Sequence, residues 1–153
     1  MIRVTGDPFD PATEIAAFAA GRTDVGGIAT FVGRVRDRAG EVRIRAMTLE
    51  HYPGMTERKL AEIEEEARRR WPLLDCLVVH RYGRMEPGEP IVLVATASAH
   101  RAAALEACTF LIDWLKTKAP FWKLEETDRG ARWVEAKASD DAAAARWEER
   151  AAG

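Results

Sequence analysis

With 153 residues, 47% of them hydrophobic and 31% charged, the chain has the size of one folded domain that buries about two thirds of its unfolded surface, and it is no disordered polymer. Its 23 basic and 25 acidic residues leave a formal charge of −2, which excludes a generic basic nucleic-acid coat. No apolar run approaches the roughly 20 residues that span a bilayer, and the stretch from Met1 to Asp7 lacks the apolar core of a signal peptide, so the expectation is a cytoplasmic protein without a membrane segment.

In chain order, Met1 to Thr5 reads as a short strand. Asp10-Pro11 supplies an N-cap and an N1 proline for an alanine-rich helix that runs to about Ala20 and ends at Gly21. From Gly26 to Arg36, and again from Glu41 to His51, β-branched and alternating residues predict two strands, read as an antiparallel pair joined around Asp37-Arg38-Ala39-Gly40. Pro53-Gly54 breaks the second strand. Met55 to Arg70 then carries Leu60, Ile63 and Ala67 at helical spacing, with a dense charged face that reads as solvated surface. Cys76 to Tyr82 and Ile91 to Ser98 predict a hairpin across the turn-rich Met85-Glu86-Pro87-Gly88-Glu89-Pro90. A helix from about His100 to Thr117 follows, its stripe of Ala104, Leu105, Cys108, Leu111, Ile112 and Leu115 reading as core. Pro120 turns the chain extended, and Phe121 to Glu125 with Arg132 to Ala136 predict a last strand pair around Asp128-Arg129-Gly130. Asp140 to Gly153 reads as a C-terminal tail or frayed helix. With no repeat and no linker, the expectation is one α+β domain over residues 1–139, built of antiparallel strands and about three helices.

Cys76 and Cys108 lie far apart and in no CxxC spacing, so they read as buried small hydrophobes rather than a disulfide or zinc site. Three basic clusters carry more chemistry. Arg34 and Arg36 project to one side of a strand end. Ser98-Ala99-His100-Arg101 falls where a strand gives way to a helix; Ser98 is a fair N-cap, and His100 and Arg101 can add donors to an anion site or serve structure alone. Lys116-Thr117-Lys118-Ala119-Pro120-Phe121-Trp122-Lys123 sets three lysines in a helix-to-strand corner. There they either complement the helix dipole or, crowded beside an aromatic pair, offer a lysine of lowered pKa for phosphate binding or acyl chemistry. If the three clusters converge, a nearly neutral protein holds an anion pocket, which favours a small anionic ligand over a polymer. No P-loop, GxGxxG, HExxH or GxSxG is present, so no cofactor or metal is expected.

Phe31-Val32-Gly33-Arg34-Val35-Arg36, Leu49-Glu50-His51-Tyr52-Pro53-Gly54-Met55, Ser98-Ala99-His100-Arg101 and Lys116 through Lys123 occur in this order. Together they resemble the large, catalytic subunit of molybdopterin synthase, from about Gly26 to about Ala136. The resemblance implies an α/β-hammerhead-like fold and sulfur insertion in molybdenum-cofactor biosynthesis. A small ubiquitin-like subunit brings sulfur as a C-terminal Gly-Gly thiocarboxylate, and cyclic pyranopterin monophosphate becomes the molybdopterin dithiolene. It also implies a homodimer of large subunits within a heterotetramer. By the same resemblance Lys116 and Lys123 are the catalytic lysines, and Arg36, His100 and Arg101 bind substrate; Phe31, Glu125 and Lys137 are lesser candidates. Lys118 and Lys137 stand where arginine is expected, which keeps the charge and loses the planar fork. Two other readings compete: a non-catalytic module that binds a ubiquitin-like tail, which intact Lys116 and Lys123 oppose, and an RNA-binding domain stacking bases on Phe121 and Trp122, which the net charge opposes.

Overall fold

The computed structural model describes residues 1–134 and 138–151. The chain runs β1 (Ile2–Thr5), α1 (Pro11–Ala17), β2 (Gly27–Arg34), β3 (Arg38–Ala39), β4 (Val42–His51), α2 (Met55–Arg70), β5 (Leu73–Arg81), β6 (Gly83–Met85), β7 (Pro90–Ser98), α3 (Arg101–Lys118), β8 (Phe121–Thr127), β9 (Gly130–Val134) and α4 (Ala138–Ala151). Two sheets form, one ordered β1-β5-β7-β2 and the other β3-β4-β8-β9 with β6 also on β4. Among the described residues only β1 on β5 pairs parallel.

The first sheet is buried on both faces, and its central strands show it residue by residue. On β5 and β7, Cys76, Val78, Val92 and Val94 turn to a core shared with Leu60, Ile63, Ala67, Phe110, Leu111 and Leu115 of α2 and α3. Their neighbours Leu77, Val79, Leu93, Ala95 and Ala97 turn to the other face, covered by Phe18 and Ile15. Such period-2 division, with apolar residues at every position, is what a twice-covered strand requires. The second sheet carries a smaller core of Val35, Met47, Leu49 and Met85.

Local chemistry accounts for the helix ends. Asp10 accepts the Ala12 N–H at 3.2 Å, and Pro11 opens α1 as an N1 proline should. This helix stops at Ala17, short of Ala20, with Ala19 left-handed at φ 56°. At the start of α2, Gly54 takes φ 84° and its N–H donates to Glu57 Oε2 at 2.7 Å. The charged face of α2 is laced at helical spacing by Lys59–Glu62, Glu64–Arg68 and Glu66–Arg70. Ser98 does not cap α3: its hydroxyl donates to Pro72 O at 2.9 Å, and His100 holds the cap position without a side-chain bond.

One feature departs from the sequence reading. β2 and β4 both form, yet they are not partners; β2 pairs with β7, and β4 with β3, β6 and β8. The turn expected to join them holds only the two-residue β3, which folds back on Val42 and Arg43 of β4. The segment after Ser139 is helical, with Trp147 4% exposed in the α2–α3 core. Its indole N–H donates to Asp113 Oδ2 at 2.7 Å, and Arg70 reaches the Trp147 carbonyl at 2.8 Å. Among the described residues no helix is long and apolar enough to cross a membrane.

Candidate functional site

A cavity of about 370 Å³ opens where the two sheets meet, within the range of small-ligand sites. Its walls combine the end of β2, β4, the end of β5, the start of β7, the last turn of α3 and strand β8. The apolar floor comes from Val35, Met47, Leu49, Ile91 and Leu115, and its cations are Arg34, Arg36, Lys116 and Lys123. Why these meet follows from the fold. A register shift between Gly33 and Arg34 skips one residue of β7, so that Arg34 pairs with Pro90, and Arg34 Nε donates to Gly88 O at 2.9 Å. Arg36 follows as an exposed residue at the cavity edge. Lys116 lies in the last turn of α3, and Pro120 releases the chain into β8, which puts Lys123 in the opposite register to Leu49. Its four cations outnumber the two carboxylates of the lining, Glu125 and Asp140, so the cavity favours an anion although the protein as a whole does not.

Glu125 is 5% exposed and lines the same cavity. Its Oε1 accepts from Arg132 Nη2 at 3.1 Å and Nε at 3.3 Å, so arginine pairs this carboxylate. Lys118 is drawn away from the cavity: its ammonium bonds Glu148 at 2.9 Å and sits 4.6 Å from the centre of the Trp114 ring. Phe31, 38% exposed, lies on β2 opposite Val94 and does not line the cavity. Lys137 lies outside the described residues.

His100 and Arg101 are separated from these groups. They stand exposed at the N-terminal end of α3, where Gly26 packs so closely that a Cβ there would lie 2.0 Å from Ala99 O. At about 1.5 Å rise per residue, the fifteen steps from Arg101 to Lys116 measure roughly 22 Å. Within one chain the second basic cluster therefore does not join the first and third.

The sequence reading passed over His80, the polar residue within the apolar run of β5. It is 5% exposed, lines the cavity and stacks on Phe121 with ring centres 3.8 Å apart and planes 15° apart. Its Nδ1 lies 3.0 Å from the Arg81 carbonyl oxygen. Burial above all, with the positive charges of Lys116 and His51, pushes its pKa down to about 4 against the opposing Arg81 contact. The signal was present, since a histidine alternating in phase with Val78 shares the core side of β5. His51 stands nearby, 4.3 Å from the Tyr82 ring, with Nδ1 3.2 Å from the Thr56 hydroxyl.

Both cysteines are buried and unpaired. Burial pushes the Cys76 thiol up to about 12, with Glu64 adding to it, and the Cys108 thiol up to about 11. Neither supplies a thiolate at neutral pH, so neither suits a sulfur relay. Among the described residues no group of three or more His, Cys, Asp or Glu is gathered to hold a metal.

Comparison with known proteins bears on this site directly. Residues 4–118 match the model of the family described as MoaE protein. The chain is 55% identical over 148 residues to the molybdopterin synthase catalytic subunit of Pseudomonas aeruginosa, covering 97% of this chain and 99% of that one. The subunit of the same name from Escherichia coli is 51% identical, with 95% and 97% covered. Among solved structures, a molybdopterin biosynthesis MoaE protein from Burkholderia ambifaria superposes with a TM-score of 0.81 at 51% identity over 97% of each chain. Molybdopterin synthase from Staphylococcus aureus gives 0.79 at 30% identity, covering 87% and 96%. On this sequence and structural likeness, the chain belongs to the MoaE family, the catalytic subunits of molybdopterin synthase.

Proposed function

We propose that the cavity between the two sheets is where sulfur passes from the C-terminal thiocarboxylate of a small ubiquitin-like subunit to cyclic pyranopterin monophosphate, in the cytoplasm. One observation carries this reading: Lys116 and Lys123, supplied by different elements, meet Arg34 and Arg36 at one cavity with an apolar floor. An anionic precursor and an anionic protein tail both favour such a site, and the cations act more strongly against apolar walls than in open water.

Lys116 serves as the acid or base, or as the transient acyl acceptor, at the thiocarboxylate carbonyl. Lys123 stabilises the negative charge that develops there. Arg36 holds the phosphate by paired N–H donors, a geometry that lysine lacks. The sulfur is carried in by the partner, consistent with two buried thiols of raised pKa.

His100 and Arg101 reach a cavity only when a second copy brings them, since their own lies about 22 Å along the helix. A homodimer with one small subunit per protomer places them so. The small-subunit partner, as distinct from the homodimer, has a counterpart in a protein of the same fold at 19% identity, the complex of subunits 1 and 2 of molybdopterin-converting factor from Helicobacter pylori, with a TM-score of 0.74.

The deciding experiment mixes the purified protein with a thiocarboxylated small subunit and cyclic pyranopterin monophosphate and assays for molybdopterin. Product is expected. A stable complex that yields none would overturn the enzymatic reading and leave a module that binds a ubiquitin-like tail.

A further inference from the structure

His80 is a buried titratable group of the cavity wall for which sulfur transfer as derived above has no use. Building on that reading of the cavity, we propose that His80 is a positioning residue: its ring, fixed through Nδ1 and by the Phe121 stack, presents Nε2 as a hydrogen-bond acceptor that aims the Lys116 ammonium into the cavity.

The tautomer follows from the partner. A carbonyl oxygen only accepts, so the 3.0 Å contact to Arg81 O assigns the proton to Nδ1 and the lone pair to Nε2. The ring cannot swing away from this orientation, because Phe121 lies parallel to it at 3.8 Å and the side chain is buried. A lone pair on the wall of a cavity lined by cations is placed to take a donor from one of them. Phenylalanine would stack on Phe121 equally well.

The charged and titratable groups around the ring come from several elements: Lys116 from α3, Lys123 and Glu125 from β8, Arg34 and Arg36 at the end of β2, Asp140 from α4 and His51 from β4. Glu125 donates nothing as a carboxylate and is bound to Arg132. Arg34 Nε is engaged with Gly88, and His51 Nδ1 lies against Thr56. Lys116 and His51 both weigh against protonation of His80, and its pKa of about 4 keeps Nε2 an acceptor throughout the neutral range. A poor base and a constant acceptor are the same property here: His80 orients the lysine without competing for its proton.

The test separates the two ring nitrogens. Gln places an acceptor near the Nε2 position, whereas Asn reproduces only the Nδ1 donor. His80→Asn is expected to lose about 10- to 100-fold in kcat with KM for the pterin precursor within about twofold, the loss of one hydrogen bond to a charged group. His80→Gln is expected to restore turnover to within about threefold of wild type. The reverse order, or two variants equal to wild type, would overturn the proposal. A measurement independent of turnover is the ¹H–¹⁵N spectrum of the imidazole in the whole protein. The Nδ1–H tautomer is expected from pH 5 to 8, with an Nε2 resonance that shifts in Lys116→Met. An Nε2 resonance unmoved by that substitution overturns the pairing even if wild type makes no molybdopterin, a result that would count against the sulfur-transfer reading alone.

Discussion

The two ends of α3 carry similar charges in opposite settings. At the C-terminal end, Lys116 opens on a walled cavity shared with Lys123 and Arg36. Helix α4 braces that end, through Asp113 to Arg146 and Trp147 and through Lys118 to Glu148. At the N-terminal end, His100 and Arg101 are exposed and do not line that cavity. A cation in an enclosed apolar site can do chemistry, because its field is weakly screened; the same cation in open solvent contributes little until something covers it. On the proposed function, the contrast separates a site that one chain builds from a half-site that a second copy completes.

The largest expected effect tests the enclosed end. Lys116→Ala should reduce molybdopterin formation by about 10²- to 10⁴-fold, the span of a lost acid–base group, while pull-down of the small subunit persists. Near-normal turnover would remove Lys116 from its role and, with it, the reason for treating the two ends differently.

Next in size is the brace. Trp147 packs edge-on against Trp71 and Phe110 and is almost wholly buried. Trp147→Ala should cost about 3–5 kcal/mol in urea unfolding, as large aromatic truncations in cores do. A loss below about 1 kcal/mol would mean that α4 is a loose appendage and that the Lys116 end is no more rigid than the other.

Acid provides a third test of the same end. His80 ionises near 4 when folded and near 6.5 when unfolded. Between those values the unfolded chain binds a proton that the native one refuses, so stability is complete above about 6.5 and is lost as pH falls toward 4. The loss amounts to about 3 kcal/mol at most. Unfolding curves from pH 7 to 4 should show it, and His80→Gln should flatten that slope; an unchanged slope would mean that another group causes the acid lability.

These contrasts also mark what the sequence made legible. Helical spacing located α2 and α3 because Leu60, Ile63, Leu111 and Leu115 recur on one face, a local property. The lysines were legible for a similar reason: Pro120 fixes the turn between Lys116 and Lys123 within eight residues. Strand partners were not legible, since β2 and β4 look alike as alternating segments and their separation into two sheets depends on β7 and β8, more than forty residues further on. The convergence of His100 and Arg101 with Lys116 failed for a length that arithmetic could have supplied, because fifteen helical residues hold two clusters apart however well their charges match. His80 was hidden by the apolar run around it, where a buried imidazole and a core residue give one pattern.

The smallest effect is the most specific to the comparison. If a second copy supplies His100 and Arg101, then Lys116→Ala and Arg101→Ala chains, each nearly inactive below the wild-type KM, should recover activity when they assemble together. Random assortment makes half of the dimers mixed. Each mixed dimer has one cavity with both defects and one with neither, so total activity should return to about a quarter of wild type, as a two-fold-symmetric interface requires. Were both residues needed within one chain, no pairing could restore either, and the mixture would stay at the parental level. Recovery near a quarter would make the exposed end of α3 part of its neighbour's active site.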